Sequence, residues 1–349
     1  MQSSARLWLN AQAMRLFAAF FIVYIHLEWV LESVGGNTAI IDLLRVGTDC
    51  FLVLTAFLSV YRNPFNRERP TDWVWKRLIR IIPLYWFLTL IFFFSKNILL
   101  GVKNHDTFEH LFYSLSFIPY GPLPVLFPGW SLTLILEFSI IFAISHYVFP
   151  RNGSLVASMF AGALAAWGYL VKPESPVWAM YANPMLVDFF FGGILAVVIV
   201  RIERAPPFWS RFSGIVSFAL AGVILFLTRH IHLELPRVAT LGVPALLIVA
   251  GCLLLECGEW RVKSRWFAIA ARYTFCVYLG HIFWDTCLDV IAAHTTTSIT
   301  ITLLILTPIP VVLGSMLLHH LVELPLRKLV DRLPPWFMAS PALPKNQPI

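Results

Sequence analysis

The chain reads as an all-α, polytopic integral-membrane helical bundle of about ten transmembrane helices with both termini cytoplasmic. Three observations predict it. The 349 residues are 58% hydrophobic and 13% charged, against about 25% charged in ordinary soluble domains. Apolar runs recur from end to end, and about 20 residues are enough to cross a bilayer. The basic residues gather in every second connection between these runs, on one side, which is how membrane proteins are oriented. The net charge of +7 is thus accounted for by topology, and no nucleic-acid partner is expected.

The spans are expected at 10–31, 39–61, 81–102, 129–150, 155–171, 184–201, 212–230, 237–257, 267–290 and 299–321. The first is too long for the apolar core of a signal peptide. It carries Arg15 and His26, and Glu28 and Glu32 follow it instead of a small-residue cleavage site, so it is expected to remain as a helix. The second holds Asp42, Arg45 and Asp49 at i, i+3 and i+7, able to form an ion pair on one face. Arg62, Arg67, Arg69, Lys76, Arg77 and Arg80 precede or open the third. The loop over 103–128 is rich in Pro and Gly and cannot span. Trp130, Thr133 and Glu137 share a face of the fourth span, and Asp188 lies near the outer end of the sixth. The fifth, seventh and eighth rest on apolar length alone. Tyr278, His281 and Asp285 share a face of the ninth, and Arg327, Lys328 and Arg332 follow the tenth. Residues 1–333 therefore form one transmembrane domain, and 334–349 a Pro-rich cytoplasmic tail.

With ten spans, Arg6, Arg151, Arg201, Arg204, Arg211, Arg261, Lys263 and Arg265 join the basic groups named above on one side. Lys103, Lys172, Arg229 and Arg237 are the few on the other. Cys50, Cys252, Cys257, Cys276 and Cys287 lie within or at the ends of apolar segments without metal-ligand spacing, and read as packing residues. His105, Asp106, Glu109 and His110 read as solvated loop polarity, and no metal is expected. Trp29, Trp130 and Trp284 fit an aromatic belt at the outer interface.

Arg15 and His26 are the most informative pair. Eleven helical steps return to nearly the same face, about 16 Å further along the axis. An arginine in hydrocarbon costs at least about 2.5–3.5 kcal/mol and is seldom there by accident. His26, Asp49, Glu137, Asp188, His281 and Asp285 come from five helices and share the outer half of the bundle. Interhelical hydrogen bonds account for any one of them; six at one level point to a polar cavity. At the inner mouth, Arg77 and Arg80 are three apart and join Arg15, a set suited to a phosphorylated ligand.

The ordered motifs resemble the membrane-bound acyltransferase-3 family. They are Arg-X10-His at Arg15 and His26; Gly47-Thr-Asp49-Cys-Phe51-Leu-Val-Leu-Thr55-Ala-Phe57; Arg77-X-X-Arg80 followed by Ile-X-Pro83-Leu-Tyr85; Trp130-Ser-Leu-X-X-X-X-Glu137; Tyr278-Leu-Gly280-His281; and Glu323-Leu-Pro325. Thr55-Ala56 stands where the family has Ser-Gly, and Gly280 where a tryptophan often precedes the late histidine. The resemblance implies a bacterial inner-membrane O-acyltransferase that takes an acyl group, usually acetyl, from cytosolic acyl-CoA. Its acceptor would be a hydroxyl of a surface or exported polysaccharide or of a lipid-linked glycan precursor.

On that reading Arg15, Arg77 and Arg80 bind the CoA phosphates, and His26 is the catalytic base, oriented by Glu137 or Asp49. His281, Trp130 and Tyr278 are substrate-site candidates. A histidine is suited to removing the proton of an attacking alcohol, and equally to carrying the acyl group itself. The other partners implied are membrane lipids. The rivals are a transporter or flippase using the intramembrane charges as a relay, and an acyltransferase for a small molecule or lipid.

Overall fold

The structure, a computed structural model, describes residues 7–62, 69–99, 107–203, 205–231 and 235–331. The chain runs α1 (Leu9–His26), α2 (Glu28–Ser33), α3 (Ala39–Leu44), α4 (Val46–Arg62), α5 (Pro70–Leu99), α6 (Phe108–Ser116), α7 (Gly129–Val148), α8 (Gly153–Val171) and α9 (Pro176–Tyr181). It continues with α10 (Val187–Ile202), α11 (Pro207–His230), α12 (Val243–Cys257), α13 (Arg265–Ala270), α14 (Thr274–Ala292), α15 (Thr297–Leu306), α16 (Pro308–Leu318) and α17 (Leu324–Asp331). Among the described residues, ten helical stretches are long and apolar enough to cross a membrane. The protein is a polytopic helical membrane bundle.

The stretches follow the expected spans, with differences that have local causes. The third helix begins at Pro70, eleven residues before the apolar run, because proline is well tolerated in a first helical turn. Arg77 and Arg80 therefore stand two to three turns inside α5, and Pro83 is accommodated in its interior. The ninth run is broken between α13 and α14 at Ala271–Tyr273. The tenth is interrupted at Thr307, where Pro308 and Pro310 withdraw two backbone donors. It then passes through a π-helical turn at His319–Glu323 into α17. The first run divides at Leu27, so that His26 ends α1. Arg6, Arg67, Lys103, His105, Asp106, Arg204, Arg332 and the tail over 334–349 lie outside the described residues.

The inner helix is α4, which packs on α1, α10 and α12. Its approach to α10 is set by Gly192, where a Cβ would stand 2.1 Å from the Val53 carbonyl oxygen. Small residues at such crossings let backbones close in without a hydrophobic driving force from water. The N-terminus of α1 is held from α12. Glu256, buried, accepts hydrogen bonds from the backbone N–H of Leu9 (2.9 Å) and Asn10 (2.7 Å). The Asn10 side chain donates to the carbonyls of Cys252 and Trp260 and accepts from Val262 N–H. A carboxylate at a helix N-terminus meets both the free N–H groups and the positive end of the dipole. This fixes the level of Arg15.

Candidate active site

Two cavities lie at opposite ends of α1. At the Arg15 end is a pocket of about 300 Å³. Its walls carry Arg15 from α1, Thr55, Ser59 and Arg62 from α4, and Trp73, Arg77 and Arg80 from α5. The Arg77 guanidinium lies over the Trp73 ring, 5.1 Å from its centre. Among the described residues no carboxylate comes within ion-pair distance of any of the four arginines. Like charges gathered at a partly desolvated mouth attract an anion strongly, and guanidinium groups suit phosphate in particular.

At the His26 end is a larger cavity of about 910 Å³, lined by His26, Glu28, Arg45, Trp130, Arg237 and Tyr278 among others. The His26 ring meets the Phe127 ring edge to face at 4.8 Å and lies 5.2 Å from the His281 ring. His26 makes no hydrogen bond with a described residue, so both ring nitrogens are open to substrate or water. His281 Nδ1–H donates to the Val277 carbonyl at 3.1 Å, which in the neutral ring leaves the proton off Nε2. That nitrogen is buried without a hydrogen-bond partner and faces Asp285 Oδ2 at 3.7 Å. The half-buried His26 and the buried His281 and Asp285 thus form one chain of neighbours across the α1–α14 contact.

An aromatic septum separates the cavities. Phe51, from the pocket wall, stacks on Tyr278, from the cavity wall, at 5.5 Å and 14°. The Arg15 guanidinium lies over the Phe51 ring at 5.4 Å. The Tyr278 hydroxyl donates to the Pro128 carbonyl at 2.9 Å and shares a hydrogen bond with the Ser131 hydroxyl. Gly129 lets α5 come this close, since a Cβ there would stand 2.5 Å from the Tyr85 hydroxyl oxygen.

The sequence-derived candidates divide cleanly. Arg15, Arg77 and Arg80 share the pocket; His26, Trp130 and Tyr278 share the cavity, with His281 against His26. Asp49 is placed elsewhere. It accepts a hydrogen bond from Arg237 Nη2 at 2.6 Å and lies against the fully buried Asp188. Glu137 lines neither cavity, and its Oε2 is buried and unpartnered among the described residues. Neither carboxylate makes a hydrogen bond or ion pair with His26. The ring neighbour of His26 is His281, which in turn faces Asp285, in place of the expected Glu137 or Asp49. Arg45 joins Glu28 at 2.6 Å and Asp42 at 3.4 Å, and Arg229 closes that network on Asp42 at 2.8 Å.

Two further residues contribute. Arg62 belongs to the basic connection in the sequence, yet Thr55, Ser59 and Arg62 fall at i, i+4 and i+7 on the pocket face of α4. That spacing was open to inspection. Phe51 as half of the septum had no such signal. A further group, Cys276, His319 and Glu323, brings three metal-type ligand atoms within 4.8 Å of one another. Glu323 accepts from Cys276 Sγ at 3.2 Å and pairs with His319 Nδ1 at 2.6 Å, with Arg327 3.9 Å away. Cys276 therefore does more than pack.

Comparison with known proteins gives this geometry a family. The chain is 28% identical over 245 residues to the exopolysaccharide production protein ExoZ of Rhizobium meliloti (strain 1021), covering 68% of this chain and 75% of that protein. No solved structure matches it. Residues 8–320 match the acyltransferase-3 family, described as an acyltransferase domain. The match takes in both cavities, the septum and all of α1, and by it the chain belongs to the acyltransferase-3 family and is a multi-pass membrane acyltransferase.

Proposed function

We propose that the protein is an O-acyltransferase of the bacterial inner membrane that moves an acyl group, most simply acetyl, from cytosolic acyl-CoA to a hydroxyl of an exported polysaccharide or its lipid-linked precursor. The carrying observation is the opposition of the two cavities along α1. The arginine pocket is small and cationic, and no carboxylate lines it among the described residues, as a phosphate-bearing donor requires. The histidine cavity is three times roomier and of mixed charge, as a bulky hydroxylated acceptor requires. The similarity to an exopolysaccharide production protein supports a glycan acceptor.

The Arg15 end then faces the cytoplasm, in keeping with the basic connections at that end. The CoA phosphates sit among Arg15, Arg62, Arg77 and Arg80. The pantetheine arm crosses the Phe51–Tyr278 septum, a distance of the order of the about 16 Å that separates Arg15 from His26 on the helix. His26 takes the proton of the acceptor hydroxyl as its oxygen attacks the thioester carbonyl. A C–O bond forms, the C–S bond breaks, and the proton passes to the CoA sulfur. His281 and Asp285 stabilise the imidazolium that forms between these two transfers. That His26 lines the acceptor cavity and not the donor pocket favours a base over an acyl carrier.

The test is genetic and chemical. Deleting the gene removes an ester-linked acyl group from the surface polysaccharide, detected by mass spectrometry. The wild-type gene restores it and the His26→Ala gene does not. Unchanged esters in the deletion strain would refute the assignment, and solute flux without acyl-CoA consumption by the pure protein would favour a transporter.

A further inference from the structure

Beside the histidine cavity lies a second, smaller recess of about 240 Å³, formed by α6, the loop that follows it, α7 and α9. Trp130 and Leu123 line both spaces, so the recess continues the cavity outward. Nothing in the reaction described above uses it.

Its chemistry is selective. Tyr113 and Tyr120 stack at 4.4 Å and 6°, and Tyr120 is 41% exposed at the rim. Among the described residues no lysine, arginine, aspartate or glutamate lines it, which makes it a poor site for a phosphate or another strongly charged group. Pro119, Pro122 and Pro124 contribute backbone with acceptors and no N–H donors, and Thr133 adds a hydroxyl. Flat aromatic faces carry negative charge density that favours the polarised C–H edges of a ligand. A ligand with C–H faces, many hydroxyl donors and no net charge is a sugar ring. Beside the recess, the Glu109 carboxylate pushes the exposed Tyr120 phenol above its ordinary pKa.

The recess is also built rather than incidental. Thr107 caps α6, accepting from His110 N–H at 3.1 Å. The loop is pinned by Val125 N–H on Ser114 Oγ at 3.0 Å and by His110 Nε2 on the Leu123 carbonyl at 2.8 Å. The Tyr85 and Tyr181 hydroxyls and the Trp86 indole N–H donate to the carbonyls of Ser114, Phe117 and Leu115. A preformed wall loses little freedom when it receives a ligand.

We infer that this aromatic recess is a saccharide subsite holding the sugar unit next to the one that is acylated, an inference that rests on the glycan-acceptor reading above. It would make the enzyme favour acceptors of at least two units and fix which hydroxyl reaches His26.

The experiment uses the full chain in nanodiscs, with radiolabelled acetyl-CoA and a size ladder of fragments from the producing cell's own polysaccharide, de-esterified with mild alkali, together with its lipid-linked oligosaccharides. Wild-type kcat/KM is expected to rise at least tenfold from the shortest labelled acceptor to the next lengths. Tyr113→Ala with Tyr120→Ala is expected to flatten that rise while leaving the rate on the shortest acceptor unchanged, which also reports an intact fold. Tyr120→Phe, which keeps the ring, is expected to retain the rise. A length dependence identical in wild type and the double variant would overturn the subsite but leave the acyltransferase reading standing. No label on any acceptor with wild-type protein would overturn both.

Discussion

The two ends of α1 differ in what they lack. The arginine pocket has four cations and no carboxylate within ion-pair distance among the described residues, whereas every arginine of the histidine cavity is matched, Arg45 by Glu28 and Arg237 by Asp49. Unmatched charge is costly in a membrane bundle, so the pocket is arranged for an anion that arrives and leaves. Matched charge costs less and shapes a wall, which suits a neutral ligand held by hydrogen bonds. On the proposed reading, the same helix carries a charge-driven donor site beside Arg15 and a shape-driven acceptor site beside His26, with the reaction at the second.

The contrast can be broken most severely at His26. His26→Ala is expected to lower acyl transfer by about 10²–10⁴-fold, the usual worth of a positioned base, while the dissociation constant for acyl-CoA, read by isothermal titration, stays put. Loss of donor binding in that variant would show that the two ends are not separable. Arg77→Ala and Arg80→Ala act on the other side. Each removes charge-assisted contacts worth about 1.5–3 kcal/mol, so donor binding should weaken by about tenfold or more per arginine and become less sensitive to salt. Acceptor KM should not move.

Smaller effects sharpen the middle of the path. His281→Gln keeps a polar side chain at the His26 contact but removes the second imidazole; kcat should fall by about tenfold with KM for both substrates nearly constant, less than the about 10²–10⁴-fold worth of the base itself, because His281 acts through His26. Phe51→Ala opens the septum, and the ratio of butyryl to acetyl transfer should rise several-fold; an unchanged ratio would mean that the acyl group does not pass this stack. Glu256→Gln weakens the anchor of α1 and should cost about 1–3 kcal/mol of stability, visible as a lower melting temperature.

Much of the architecture was legible in one dimension because hydropathy and charge are local properties. Apolar length placed all ten spans, and the Arg15–His26 spacing placed the two ends of the site. Arg77 and Arg80 could be assigned to Arg15's mouth because all three follow from depth alone. Rotation about a helix axis was not legible. Asp49 faces Arg237, and Glu137 lines neither cavity. His281 meets His26 through the α1–α14 contact, which no spacing within one helix encodes. The break before α14 and the kink at Thr307 were masked by apolar runs that continue through them.

The central claim is that donor and acceptor enter from opposite ends of α1 and react at His26. Proteoliposomes carrying the protein test it directly, with labelled acetyl-CoA supplied only outside and de-esterified acceptor oligosaccharide sealed only inside. The predicted result is label on the enclosed acceptor, dependent on time and on intact His26. Label confined to acceptor on the same side as acetyl-CoA would contradict it.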